Sequence, residues 1–112
     1  MSNRINRIFK AIADPTRREI FNVLILATTA LTITQISEQF EISRQGVTKH
    51  IKMLKEAGLV EMKQTGRESY CLADPTPLKE VHSWLTAYEK FWNDKLTNLG
   101  DFLDKASNET NT

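Results

Sequence analysis

Ser43-Arg-Gln-Gly-Val-Thr-Lys-His-Ile-Lys-Met-Leu-Lys-Glu-Ala-Gly58 is the stretch on which the reading of this chain turns. Ser43 is a strong helix N-cap, and Ile42 before it and Val47 after it are spaced as a hydrophobic staple. Gly58 supplies the left-handed residue that closes helices, so the spacing predicts a helix running to Ala57. With successive residues about 100° apart, Val47, Ile51 and Leu54 share one face, with His50 at its margin. Gln45, Thr48, Lys49 and Lys52 share the opposite face, with Arg44 near the helix start. One side is built for a core and the other is a polar, cationic ridge. Residues 43–55 hold Arg44, Lys49, Lys52 and Lys55 and no acid.

Upstream, Ile5, Ile8, Phe9 and Ile12 fall at i, i+3, i+4 and i+7, the stripe of a first amphipathic helix. Asp14-Pro15 then combines a good N-cap with a residue suited to the first helical position, opening a second helix that runs to about Ala27. Thr32 followed by Gln35 has the form of a capping box, which predicts a short third helix with Ile36 and Phe40 as apolar residues. The segment Glu41-Ile42-Ser43 separates it from the cationic helix.

Downstream the period changes. Leu59–Lys63 and Ser69–Leu72 read as two short strands around Thr65-Gly66-Arg67-Glu68, where Gly66 can take the positive φ of a tight hairpin. A two-stranded ribbon alone is marginal, so it must pack on the helices. Cys71 alternates with Tyr70 and Leu72 and is expected to face away from the core. After Asp74-Pro75-Thr76-Pro77, apolar residues recur every three or four positions from Leu78 to Leu103, predicting one long helix that slackens at Gly100. The expected architecture is mostly α with a small β-hairpin, in the order α-α-α-α-β-β-α. Residues 1–104 are expected to form a single domain and residues 105–112 a flexible polar tail.

A chain of 112 residues, 40% hydrophobic and 26% charged, suits one compact globular domain rather than a disordered one. Cys71 is alone, which excludes an intrachain disulfide and any Cys-rich zinc site. No apolar run is long enough to span a bilayer, and Met1-Ser-Asn-Arg4 lacks the apolar run of a secretory leader, so a cytoplasmic setting without membrane contact is expected. The net charge of +1 hides a strong segregation. Residues 1–20 carry a net +3, residues 21–41 −2, residues 42–72 +3 and residues 73–112 −3. Such blocks say more about a polyanionic partner than the total does.

The third and fourth helices have helix-turn-helix spacing, and the fourth would direct its N-terminal residues at base edges of double-stranded DNA. Arg44 and Lys49 can donate to guanine O6 and N7, Gln45 can pair bidentately with adenine, and Thr48 can use its hydroxyl or its methyl. A ribbon tip with Gly66 and Arg67 beyond such a motif makes a winged helix-turn-helix. Arg67 is either a wing contact or an ordinary turn arginine. His50 can touch phosphate or pack at the helix edge.

At these residues the chain resembles the ArsR/SmtB winged-helix repressors. Three segments carry the resemblance: Phe9–Ile20, with its Ala13-Asp-Pro-Thr-Arg-Arg18, Ile42–Val60, and Gly66–Leu72. The resemblance implies a sequence-specific transcriptional repressor that binds a palindromic operator as a homodimer through the fourth helix and the wing. The DNA-contacting set is then Arg17, Ser43, Arg44, Gln45, Thr48, Lys49, His50, Lys52 and Arg67. The first and last helices would meet the partner through Ile5, Ile8, Phe9, Leu85, Tyr88, Trp92, Leu96 and Leu99.

Departures from the pattern narrow the reading. Metal-sensing members carry a cysteine pair on the third helix, whereas Thr34-Gln-Ile-Ser-Glu-Gln39 has none. On the last helix His82 has only Glu89 and Asp74 as companions, so no metal or other cofactor is expected. Asp74–Leu78 followed by Trp84–Trp92 is similar to a metal-independent subgroup. Its aromatics suit a dimer core better than an effector cavity, and a small-molecule effector stays unidentified. Gly46 stands where the pattern usually has a side chain. With no phosphate loop, nucleophile motif or supported carboxylate pair, catalysis is not expected. The competing reading, from another class, is a protein-interaction module that uses the aromatic C-terminal helix.

Overall fold

The computed structural model describes residues 3–110, which build five helices and three strands. Helix α1 spans Asn3–Ala13, α2 Pro15–Leu26, α3 Ile33–Phe40, α4 Arg44–Glu56 and α5 Leu78–Thr110; the strands are β1 Leu31–Thr32, β2 Val60–Thr65 and β3 Glu68–Ala73. The described residues fall into two compact units, one ending at Lys79 and the other beginning at Glu80. Most of α5 lies in the second unit.

The first unit is organised by its helix ends. Asp14 caps α2 by accepting from the Arg17 backbone N–H at 2.8 Å. Thr32 and Gln35 complete the reciprocal capping box of α3, with bonds of 3.0 and 2.8 Å. Helix α4 ends in a Schellman arrangement: Leu59 N–H donates to Leu54 O and Gly58 N–H to Lys55 O, both at 2.9 Å, with Gly58 at φ 77°. Helix α3 closes with no glycine; Glu41 itself takes the left-handed conformation at φ 54°. Helix α1 packs on α2 and α4, and α4 also packs on α3 and β2. Ile8, Ile20, Ile36, Val47, Ile51, Leu54 and Leu59 are essentially inaccessible to water. Each such aliphatic side chain contributes roughly 1.5–3 kcal/mol on burial.

The hairpin gains a third strand that the sequence pattern does not announce. Strand β3 lies between β1 and β2, antiparallel to both. Leu31 pairs with Cys71 and Thr32 with Tyr70, so the residues that open α3 also anchor the ribbon. The register puts Val60, Met62 and Gln64 on one face with Ala73, Cys71 and Ser69. Cys71 is therefore fully buried, not turned outward; Tyr70 and Leu72 are the exposed neighbours. In the turn, Gly66 takes φ 62° in the first of two loop positions, and Ser69 Oγ donates to Gln64 Oε1 at 2.7 Å across the ribbon.

Helix α5 runs without a break through Gly100 to Thr110. The expected tail at 105–112 is thus helical as far as 110, while 111–112 lie outside the described residues. No proline interrupts this end, and Asp101 and Lys105 stand at the favourable i, i+4 spacing. Along this helix Trp84 and Tyr88 stack at 5.5 Å between centroids, and Tyr88 meets the Trp92 ring edge-on at 6.1 Å.

Burial pushes the Cys71 thiol up to about 11. A raised thiol stabilises the fold below its ordinary range and loses that contribution as pH rises through 11. At pH 8 iodoacetamide should modify native Cys71 far more slowly than the urea-unfolded chain. Mass spectrometry of the two time courses checks this, and equal rates would contradict the buried register.

Candidate nucleic-acid interface

Val47, Ile51 and Leu54 are held in the core, so the opposite face of α4 must point outward. Ser43, Arg44, Gln45, Thr48, Lys49 and Lys52 are all exposed there. Ser43 Oγ accepts from the Gly46 N–H at 3.0 Å, which starts the helix at a defined residue. A Cβ on Gly46 would stand 3.2 Å from that oxygen, so the missing side chain also leaves the cap undisturbed. Thr48 donates its hydroxyl to Arg44 O at 2.8 Å. Its methyl and oxygen lone pairs are what remain for a partner, which narrows the reading from sequence.

Beside this face lies an open groove of about 560 Å³ lined by Ile33, Arg44, Gln45, Thr48, Lys49, Glu68 and Ser69. It joins the first turns of α4 to the end of the wing. Glu68 and Ser69 were not singled out by the sequence pattern. Their place depends on the pairing of β3 with β1 and β2, and no local pattern in the sequence announces it. Arg67 sits exposed in the wing turn, outside the residues that line the groove.

Two of the expected contact residues, Arg17 and His50, have partners or packing within the chain, and Arg18 shares the role of Arg17. Arg17 donates from Nε to Ala11 O at 2.5 Å and from Nη2 to Lys10 O at 3.2 Å, and Arg18 donates to Ile12 O at 2.9 Å. Both arginines thus satisfy the last carbonyls of α1, which engages Nε and Nη2 of Arg17 in a capping duty. His50 is half-buried, and its Nδ1 is inaccessible and without a hydrogen-bond partner. Packing at the helix edge is therefore its observed state. Asp14 is held below the usual carboxylate range, first by the Arg17 backbone N–H and also by the charges of His50 and Arg17.

The expected partner-facing set divides as well. Ile5 and Ile8 are buried, on a helix that packs against α2 and α4, so they belong to the protomer's own core; Phe9 is half-buried. Leu85, Tyr88, Trp92, Leu96 and Leu99 of α5 are about half exposed, in a row that also includes Phe91, Phe102 and Leu103. Among the described residues, no three or more His, Cys, Asp or Glu side chains are grouped to hold a metal ion. No helix among them is long and apolar enough to cross a membrane.

Residues 12–63 match the helix-turn-helix domain family. Over 81 residues the chain is 33% identical to the transcriptional repressor SdpR of Bacillus subtilis, covering 72% of this chain and 88% of that protein. Over 105 residues it is 32% identical to the HTH-type transcriptional regulator Rv2034 of Mycobacterium tuberculosis, covering 94% of each. The ArsR-like transcriptional regulator from Rhodococcus sp. RHA1 superimposes with a TM-score of 0.70 at 27% identity, over 86% of this chain and 89% of that one. The homodimeric winged helix-turn-helix DNA-binding domain of a Mycobacterium bovis protein shares the fold, with a TM-score of 0.61 at 19% identity over 79% of this chain and 80% of that one.

Ser43→Ala removes the acceptor of the Gly46 N–H and should cost about 1 kcal/mol of stability. Urea denaturation of the two proteins measures this, and coincident midpoints would show that the cap contributes nothing.

Proposed function

The chain belongs to the ArsR family of winged helix-turn-helix transcriptional regulators, and we propose that it is a homodimeric repressor of a palindromic operator. One observation carries this reading. The buried triad Val47, Ile51 and Leu54 forces Arg44, Gln45, Thr48, Lys49 and Lys52 outward on a single exposed ridge that borders the wing. Arg44 and Lys49 then donate to guanine, Gln45 reads adenine, Thr48 meets a thymine methyl, and Lys52 holds phosphate. Arg67 follows the backbone or minor groove from the wing tip. Arg17 serves the interface indirectly, by fixing the junction of α1 and α2.

The dimer rests on α5. Its exposed row of apolar side chains is too long to be left in water, and a second copy presenting the same row covers it. Two-fold symmetry would then set two reading helices roughly 34 Å apart, one turn of DNA. A homodimeric domain of the same fold supports that assembly. The partner-facing residues are Leu85, Tyr88, Trp92, Leu96 and Leu99, and the aromatic stacking along α5 becomes part of the dimer core. The family regulates transcription rather than catalysing a reaction, and such a regulator works in the cytoplasm. Thr34–Gln39 of α3 carries no cysteine, so release from the operator proceeds without a thiolate-bound metal.

Lys49→Ala and Lys52→Ala should each weaken binding to operator DNA. If the lost contact is to phosphate, the slope of log affinity against log salt falls by about 0.9. A gel-shift titration over several salt concentrations reads both quantities. Unchanged affinity and slope in both variants would remove the assigned face. Leu96→Asp should convert the dimer to monomer in sedimentation velocity and abolish operator binding, whereas an intact dimer would place the interface elsewhere.

A further inference from the structure

The groove beside α4 contains one residue of the wrong sign for a DNA-binding surface. Arg44 and Lys49 supply its positive charge, yet Glu68 lines the same groove from the first residue of β3. Glu68 is exposed, and among the described residues it has no ion-pair partner, so neither cation neutralises it. Among the described residues it is the only acidic one that lines this groove. The N-terminus of α4 with Arg44 and Lys49 would otherwise attract phosphate on any sequence.

We propose that Glu68 is a specificity-determining residue, acting by repulsion against DNA that offers this groove only phosphate. The inference rests on the reading of α4 as the DNA-contacting helix. A duplex held only through its phosphates sets phosphate charge in the groove, against the carboxylate. A site whose base edges bond to Arg44, Gln45 and Lys49 fills the groove with bases and avoids that penalty. Discrimination built partly from a repulsive element is a general route to specificity, because the penalty falls on every competitor and spares one. The arrangement also fits the charge pattern of the chain, in which 15 basic and 14 acidic residues leave little excess to drive non-specific attachment.

The test uses the full chain and two DNA probes. One is a duplex of about 30 base pairs, long enough for two half-sites, selected on the wild-type protein from a random library. The other is a scrambled duplex of the same composition. Glu68→Gln keeps the side-chain shape, and Glu68→Lys extends the series. Glu61→Gln makes the same charge change elsewhere on the ribbon, away from this groove. Glu68→Gln should bind the scrambled duplex about three- to tenfold more tightly and the selected duplex less so, lowering the ratio of the two affinities. Glu68→Lys should lower that ratio further, while Glu61→Gln should leave it unchanged.

The salt slope on the scrambled duplex should steepen by up to about 0.9 in Glu68→Gln. An unchanged ratio in both Glu68 variants overturns the inference. So does an equal effect of Glu61→Gln, which would trace the change to net charge. Weaker binding of the selected duplex by Glu68→Gln also overturns it, since the carboxylate would then be accepting from a base. If the wild-type protein selects no duplex at all, the proposed function falls and this inference with it; if it selects one and Glu68 is neutral, only the inference falls.

Discussion

The interface depends on how α4 is seated. Val47, Ile51 and Leu54 are wholly buried at successive spacings of four and three residues. Rotation of the helix about its axis would bring at least one of them into water, at roughly 1.5–3 kcal/mol per side chain. Once that rotation is fixed, the directions of Gln45, Thr48, Lys49 and Lys52 follow without any further interaction. The Schellman closure at Leu54, Lys55, Gly58 and Leu59 fixes where the helix ends, so the strand that follows leaves it at a defined residue. The reading face is thus a geometric consequence of core packing. Its exposed residues can vary in chemistry without disturbing the fold that presents them.

The same logic governs the helix junctions. Four N–H groups at each helix start and four carbonyls at each end lack intrahelical partners. Here Asp14, Thr32 and Ser43 cover starts, while Arg17 and Arg18 reach back from α2 to the end of α1. The Asp14 carboxyl lies below its ordinary value, held there mainly by the Arg17 N–H. Its contribution is therefore present at and above the usual carboxylate range and is lost as pH falls through the lowered value. Near neutral pH that contribution is complete.

The legibility of these features divides by sequence distance. Caps at Asp14, Thr32 and Ser43 are written in residues three apart, and the structure has all three. The two-sided character of α4 is legible because its period is local. Strand alternation gives Cys71 two possible faces without saying which is inside, so the outward expectation has no local check. That choice was made by pairing with Leu31, forty residues away, in a strand of only two residues. Glu68 and Ser69 reached the groove through the same non-local register. The stripe of Ile5 and Ile8 shows that a face is covered, not by what, so own core and partner look alike in the sequence. Arg17 was legible as a cation, whereas its commitment to the carbonyls of α1 required the turn between two helices.

Segregation of charge gives the net charge its meaning. Residues 1–79 carry a net +4 and residues 80–112 a net −3, so the excess cation lies in the unit that holds α4 and the excess acid in the unit that holds the apolar row of α5. Phosphate attraction acts over about 8 Å at physiological salt, so the charges bordering the groove matter more than the chain total. Arg44, Lys49 and Lys52 contribute attraction at that range and Glu68 opposes it. A surface with only cations would hold any duplex through its phosphates. On the proposed reading of α4, a carboxylate in the groove penalises complexes held by phosphate alone, so the free-energy difference between one site and its competitors widens by the penalty that the matched site avoids.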